Sequence, residues 1–188
     1  MFQRCRSLEH IKLPSLVNVI EKRAFQGCAL KEIEIPSSVA TINKRLFEEC
    51  YSLERIKIPS SVTSIKKEAF SRCMSLKRVI IPSSVTSIEP ESFYDCSKLE
   101  YIEIPSSVTS IGDKAFNSCT SLIQIEIPSS ITTIKSGLFF YCRSLEQVII
   151  PSSVNTIEFE AFCDCTSLKK IEIPSSVTTI GISAFQGC

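Results

Sequence analysis

The chain has 188 residues, enough for one ordinary domain with a substantial buried core. Its 21 lysines and arginines against 20 aspartates and glutamates give a formal net charge of +1, so we expect no nucleic-acid partner. No apolar run approaches the roughly 20 residues that span a bilayer, and the first five residues lack the apolar core of a signal peptide.

A repeat with a period of about 23 residues runs through the whole chain. Its prolines are Pro14, Pro36, Pro59, Pro82, Pro105, Pro128, Pro151 and Pro174. Its phenylalanines are Phe2, Phe25, Phe47, Phe70, Phe93, Phe116, Phe139, Phe162 and Phe185. Its cysteines are Cys5, Cys28, Cys50, Cys73, Cys96, Cys119, Cys142, Cys165 and Cys188. One residue is missing between Cys28 and Leu30, and we expect a loop to absorb this deletion.

Each unit predicts three short elements in chain order. In residues 53–73, the apolar alternation of residues 56–58 stops at Pro59 and predicts a strand with one buried face. A serine turn follows, and the β-branched residues 62–65 predict a second strand that pairs with its copies above and below. The apolar positions in residues 69–73 fit one helical or 3₁₀ turn, held in place by packing.

Eight positions of the unit are apolar in nearly every copy, and a single unit is too short to bury them. In this unit they are Leu53, Ile56, Ile58, Val62, Ile65, Ala69, Phe70 and Cys73. Stacked units would turn each position into a continuous buried column. We therefore predict a β-rich α/β fold: a right-handed solenoid of about eight stacked rungs with short helical or 3₁₀ turns, forming a single domain over residues 1–188.

The unit Leu-x-x-Ile-x-Ile-Pro-Ser-Ser-Val-Thr-Ser-Ile-x-x-x-Ala-Phe-x-x-Cys resembles the BspA-type leucine-rich repeat along the whole chain. The resemblance implies a curved leucine-rich-repeat solenoid used for binding, commonly in adhesion to host or matrix proteins at cell surfaces. The chain differs from the more familiar leucine-rich repeat, because serine, for example Ser61, stands where that pattern has asparagine. An asparagine ladder is therefore not expected.

The cysteine ladder predicts packing rather than chemistry. In-register copies point the same way, so they converge neither on a disulfide nor on a tetrahedral zinc ion, and cysteine packs as a small hydrophobe. Cys163 lies outside the ladder, at a position that is mostly polar in other units, which indicates a free surface thiol. With His10 as the only histidine and no glycine-rich phosphate loop, we expect no enzyme activity, cofactor or metal.

We look for a binding function in the columns that vary between copies. Three columns beside the first strand carry alternating charges. Opposite charges on adjacent strands support strand pairing, so this pattern by itself does not indicate a binding site. Apolar and aromatic residues interrupt this charged surface, and together with nearby arginines they are typical of a protein contact. The candidate residues are Arg55, Arg78, Ile80, Tyr101, Ile123 and Ile149.

A second candidate patch surrounds the predicted helical turn in the C-terminal third. Its residues stand at positions that are mostly polar in other units: Tyr94, Phe140, Tyr141, Phe159 and Cys163. An exposed apolar patch usually marks a contact, although local packing of Phe159 over Phe140 would equally explain this composition.

Both ends of the chain lie inside a repeat, so we expect part of a longer array, or ends covered by a partner or another copy. The predicted function is a non-enzymatic protein-binding scaffold, as an adhesion or recognition module at a cell surface. The alternative is a structural component of an intracellular multi-protein assembly. The resemblance favours a cell-surface or secreted protein, whereas the absent signal peptide and ten cysteines without an evident disulfide framework favour the cell interior, and the sequence leaves the localisation open.

Overall fold

A computed structural model describes residues 2–188 as short parallel strands stacked coil upon coil, a parallel β-solenoid. The paired strands join equivalent positions of successive coils, so Ile42 lies beside Ile65 and Ile65 beside Ile88. The register follows the sequence repeat, because every pairing joins residues 23 positions apart.

Two strands recur in each coil. The first strand has three residues and is found at β1 Glu32–Glu34, β3 Arg55–Lys57, β5 Arg78–Ile80, β7 Tyr101–Glu103, β9 Gln124–Glu126 and β11 Gln147–Ile149. The second has two residues and is found at β2 Thr41–Ile42, β4 Ser64–Ile65, β6 Ser87–Ile88, β8 Ser110–Ile111, β10 Thr133–Ile134, β12 Thr156–Ile157 and β13 Thr179–Ile180.

The structure has fewer complete coils than the sequence predicted. Six coils carry both strands, instead of about eight rungs. The repeat continues through residues 10–12 and 170–172, but neither segment forms a first strand. An end coil has a neighbour on one side only, so part of its inter-coil hydrogen bonding is missing.

The third segment of each coil is a series of turns. Within residues 68–73, alternate amides donate to the carbonyl three residues back, whereas the others donate to the next coil, as Phe70 does to Ser92 (2.8 Å). Glu68 and Arg72 adopt the left-handed backbone conformation, with φ of 58° and 61°, which is incompatible with a right-handed helix. The predicted helical or 3₁₀ turns are therefore wrong. Residues 2–188 contain no helix, because half of the backbone amides in these turns donate to carbonyls of the neighbouring coil. A helix would need those amides for its own hydrogen bonds.

A column of stacked phenylalanine rings forms the centre of the core. From Phe25 to Phe162, the ring centroids of successive coils lie 5.1–5.8 Å apart, and all seven rings are buried. Columns of leucine, isoleucine, valine, alanine and cysteine surround the rings. The predicted apolar columns are confirmed, except that the first-strand isoleucines Ile56 and Ile58 are only partly buried.

Serine hydroxyls join neighbouring coils at the turn after each first strand. Ser61 donates to the carbonyl of Val39 (2.7 Å), and Ser107 donates to that of Val85 (2.8 Å). The same bond recurs at the second serine of the other turns. The serines therefore have a structural role, and they supply an inter-coil ladder of their own.

The ladder cysteines are free thiols, and most of them are buried. The Cys73 thiol donates to the Phe47 carbonyl of the preceding coil (3.1 Å), and the Cys119 thiol donates to that of Phe93 (3.3 Å). Burial raises the pKa of the Cys50 thiol to about 12. The thiols thus stay neutral at physiological pH and fill the core, which confirms the packing interpretation.

Successive coils approach very closely at Gly112. A Cβ atom there would lie 2.4 Å from the nitrogen and 2.8 Å from the Cα of Pro90, which are backbone atoms that cannot turn aside. We expect Gly112→Ala to lower the free energy of unfolding by about 1–3 kcal/mol, measured by urea denaturation. The exposed control Asp113→Ala should change it by no more than about 0.5 kcal/mol. Equal, small changes in both variants would contradict the close packing at this point.

Candidate functional site

The first strands present one continuous surface, which we call the strand face: the first and third residues of β1, β3, β5, β7, β9 and β11. In β5, for example, Val79 points into the core, whereas Arg78 and Ile80 are exposed. The strand face is hollowed in two places. A hollow of about 1400 Å³ lies along residues 10–15, 32–37 and 55–59, and one of about 170 Å³ lies between β7 and β9.

The structure places the six candidate residues along this surface. Arg55, Arg78 and Tyr101 are the first residues of their strands, Ile80 and Ile149 are the third, and Ile123 directly precedes β9. Three isoleucines are well exposed: 56% of Ile80 and 48% of both Ile123 and Ile149. Side chains of this kind would be buried in an ordinary core, so their exposure favours a contact surface over a purely structural sheet.

Arg78 and Tyr101 form a pair on neighbouring strands. They are register partners in the β5–β7 pairing, and the guanidinium carbon of Arg78 lies 4.6 Å from the centroid of the tyrosine ring. Such a cation–π contact holds an aromatic side chain in place at an exposed site. A partner would therefore meet a Tyr101 ring that is already ordered, which reduces the entropy lost on binding.

Charges in the N-terminal half of the strand face neutralise one another. Arg55 pairs with Glu32 and Lys57 pairs with Glu34, each across the β1–β3 pairing and each at 2.7 Å. The Arg55 guanidinium also lowers the pKa of the Glu32 carboxyl. The larger hollow lies over these ion pairs. In this half, the support that opposite charges give to strand pairing is enough to explain the alternating charges.

The C-terminal half of the strand face is different. Glu103 and Glu126 are exposed, and neither forms an ion pair with any of the described residues. The neighbouring positions in β9 and β11 carry Gln124, Gln147 and Ile149, which have no charge. This half thus combines exposed apolar side chains with unneutralised carboxylates.

The sheet of first strands is also interrupted twice. The strands are hydrogen-bonded only as the pairs β1–β3, β5–β7 and β9–β11, so within residues 2–188 no ladder joins β3 to β5 or β7 to β9. Like charges meet at both interruptions: Arg55 stands one repeat before Arg78, and Glu103 stands one repeat before Glu126. Like charges on directly opposed residues disfavour pairing. The repeat pattern alone did not predict these interruptions, although the like charges one repeat apart are visible in the sequence.

The family model for the BspA type leucine rich repeat region, in six copies, matches residues 1–99 and 86–188. The chain belongs to the BspA-type leucine-rich repeat family. The resemblance and the fold class inferred from the repeat are thereby confirmed, apart from the helical turns and the number of complete coils.

Three solved structures are similar to this BspA-type repeat protein. A leucine-rich repeat protein of T. pallidum is 32% identical with a TM-score of 0.80, over 84% of this chain and 77% of that one. One from Bacteroides ovatus is 30% identical with a TM-score of 0.71, over 100% of this chain and 66% of that one. A leucine rich cell surface protein from Faecalibacterium prausnitzii is 36% identical with a TM-score of 0.79, over 92% of this chain and 49% of that one. Among curated proteins there is no match.

The second candidate patch of this BspA-type protein is only partly assembled. The rings of Phe140 and Tyr141 meet edge to face at 4.3 Å, and Arg143 lies 5.0 Å from the tyrosine ring centroid. Phe159 is 49% exposed, and among the described residues its ring does not pair with that of Phe140. Tyr94 lies two coils before Phe140. The patch is therefore a local aromatic pair with separate neighbours, smaller than the strand face.

Cys163 is buried, so the prediction of a surface thiol is wrong. Only 4% of the residue is exposed, and burial together with the nearby Asp164 carboxylate, 3.6 Å from the sulfur, raises the thiol pKa to about 11. The reason is the stacking of coils on both sides. The carbonyl of Cys163 accepts a hydrogen bond from Tyr141 of the preceding coil, and the adjacent Asp164 amide donates to Gln186 of the following one.

Residues 2–188 contain neither a cluster of metal-binding side chains nor a membrane-spanning helix. No three side chains of His, Cys, Asp or Glu come together there in a way that could hold a metal ion. No helix in that range is long and apolar enough to cross a membrane.

Proposed function

We propose that this chain is a non-enzymatic protein-binding scaffold and that the strand face around Tyr101 is its contact surface. The observation that carries the proposal is the exposure of Ile80, Ile123 and Ile149 around the ordered Arg78–Tyr101 pair. Tyrosine and arginine among apolar neighbours are the side chains most enriched at binding hot spots. Arg55 lies at the edge of this surface, because its guanidinium is already engaged by Glu32.

The architecture suits this role. The buried columns keep the coil spacing constant, whereas the outward residues of the first strands differ from coil to coil. Changes on the strand face therefore alter recognition without disturbing the core. We also propose that residues 1–188 act as one rigid domain, which is supported by phenylalanine stacking that is unbroken from Phe2 to Phe185.

Recognition at a cell surface is the favoured setting. The similar protein from Faecalibacterium prausnitzii is described as a cell surface protein, which supports the same location here. The alternative, a structural component of an intracellular assembly, is supported by ten free cysteines, which suit a reducing compartment. Fractionation of cells that express the native protein separates the two: a protease-accessible protein on intact cells supports adhesion, and a protected one supports the assembly role.

The test of the contact surface is Tyr101→Ala. A partner is first isolated with the unaltered protein, and its Kd is then measured for both forms by calorimetry. We expect the affinity to fall about thirtyfold, because truncating a hot-spot tyrosine commonly costs about 2 kcal/mol or more. The free energy of unfolding should change by no more than about 0.5 kcal/mol, because Tyr101 lies outside the core.

The matched control is Glu34→Ala on the same face. Glu34 is exposed and paired only with Lys57, and such surface pairs are worth little, so binding should barely change. Equal losses in both variants, or no loss in Tyr101→Ala, would place the contact at the Phe140–Tyr141 patch or at the end coils instead.

A further inference from the structure

The hollow between β7 and β9 is a break in the strand face. No hydrogen bond joins the two strands in the described part of the chain, whereas β5–β7 and β9–β11 are paired. The hollow, about 170 Å³, is lined by residues of β7, β9 and β11, including Tyr101, Glu126 and Ile149. The main-chain groups of β7 and β9 that would bond to each other in an intact sheet are therefore not bonded across this break.

The third residues of the first strands form an ordered row across this break. From β5 to β11 the row reads Ile80, Glu103, Glu126 and Ile149. Two carboxylates therefore lie between two exposed isoleucines, with one coil, roughly 4.8 Å, between neighbours. The whole row spans about 14–16 Å, because the Phe116 and Phe139 rings on either side of the break lie 5.8 Å apart and paired strands lie roughly 4.8 Å apart.

The break between β3 and β5 carries positive charges, and these charges already have contacts within the chain. Arg55 and Arg78 meet there, but Arg55 is bound by Glu32 and Arg78 lies over the ring of Tyr101. At the β7–β9 break, by contrast, neither Glu103 nor Glu126 has a cationic partner among the described residues. The charge of these two carboxylates favours a positively charged group at this break, with an exposed isoleucine, Ile80 or Ile149, on either side.

We propose that the row from Ile80 to Ile149 binds an extended segment of a partner protein with the pattern apolar-x-Arg/Lys-x-apolar, laid along the solenoid axis. The inference rests on the proposed function, because it names the partner chemistry of the same surface. Alternate side chains of an extended chain lie about 6.6 Å apart on one side, so residues i and i+4 reach the two isoleucines. The cation at i+2 then sits between Glu103 and Glu126 and relieves their repulsion.

The direct test uses a blocked peptide, Ser-Val-Ser-Arg-Ser-Val-Ser, and protein with ¹³C-labelled isoleucine methyl groups. Titration to millimolar peptide should shift the methyl signals of Ile80, of Ile149 and of Ile104, which directly follows β7 and lines the hollow. It should leave in place those of Ile33, in β1, and Ile35, directly after β1. A peptide with glutamate for arginine, and one with arginine moved next to a valine, should each bind at least about tenfold more weakly. Equal binding of all three peptides would overturn the proposal.

Matched variants separate a specific site from a general charge effect. Glu103→Gln with Glu126→Gln should weaken peptide binding about tenfold or more, whereas Glu32→Gln with Glu34→Gln removes the same charge from the paired half and should leave it unchanged. Equal losses in both double variants would contradict the assignment. Shifts of the same methyl signals by calcium chloride alone would show a metal site and would also overturn it.

The experiments distinguish a failure of the proposed binding of a basic segment from a failure of the proposed function. If the peptides shift nothing but Tyr101→Ala still weakens the isolated partner, the strand face is the contact surface and the basic segment is wrong. If Tyr101→Ala has no effect on that partner, the contact surface itself is wrong.

Discussion

Raising the pH above about 9 is expected to unfold this protein steeply. Six ladder thiols are wholly buried and donate to phenylalanine carbonyls of the preceding coil: Cys50, Cys73, Cys96, Cys119, Cys142 and Cys165. Burial raises the pKa of Cys50 and Cys165 to about 12, and that of Cys73, Cys96, Cys119 and Cys142 well above the usual 9.0. The folded protein therefore keeps these protons at a pH where an unfolded chain releases them.

The direction of the effect follows from these shifts. Below about pH 9 the thiols are neutral in both states and the stabilisation is fully present. Above it, only the unfolded state gains from ionisation, until the folded thiols titrate near or above pH 12. Six protons released on unfolding lower the free energy of unfolding by about 8 kcal/mol per pH unit. A typical stability of about 5–15 kcal/mol would be lost within about two units.

Denaturant titrations between about pH 7 and pH 11, with a reductant present, measure this slope by circular dichroism. Replacing Cys73, Cys96 and Cys119 together by alanine should make the slope about half as steep, although it also lowers the stability at neutral pH. Thiolate absorbance that rises at about pH 10 while the circular dichroism stays native would contradict the prediction.

Phe116→Ala is expected to lower the free energy of unfolding by about 3–5 kcal/mol. The ring is wholly buried and stacks on Phe93 at 5.6 Å and on Phe139 at 5.8 Å. Its removal leaves a cavity between neighbouring coils that backbone hydrogen bonds hold together, for example from Phe116 to Leu138 (3.1 Å) and from Ser118 to Phe140 (2.7 Å), so the cavity cannot fully collapse. Urea denaturation followed by circular dichroism measures the change.

The matched control is Phe2→Ala at the end of the same column. Phe2 is 41% exposed and stacks only on Phe25, at 5.4 Å, so its loss removes fewer contacts and leaves no enclosed cavity. A loss in Phe116→Ala no larger than in Phe2→Ala would show that the column is not the core of the solenoid.

The repeat made the core and the strand register predictable. One period of 23 residues aligned the phenylalanines, cysteines and strand isoleucines, and stacking followed because one unit cannot bury its own apolar side chains. The helical turn was not predictable in the same way. The spacing of Ala69, Phe70 and Cys73 suits one helical turn, but Phe70 donates its amide to the next coil, and such inter-coil bonds leave no pattern of residue types.

The sequence by itself determined which residues face outward, because alternation in a strand places Arg78 and Ile80 on the side opposite Val79. Only the tertiary structure decided what those residues can do. Glu32 has Arg55 at 2.7 Å, whereas Glu103 stands one coil from Glu126 across an unpaired strand edge. The burial of Cys163 was decided in the same way. Charge neutralisation and burial depend on what the next coil brings to within a few ångströms, and a side chain's own residue type does not contain that information.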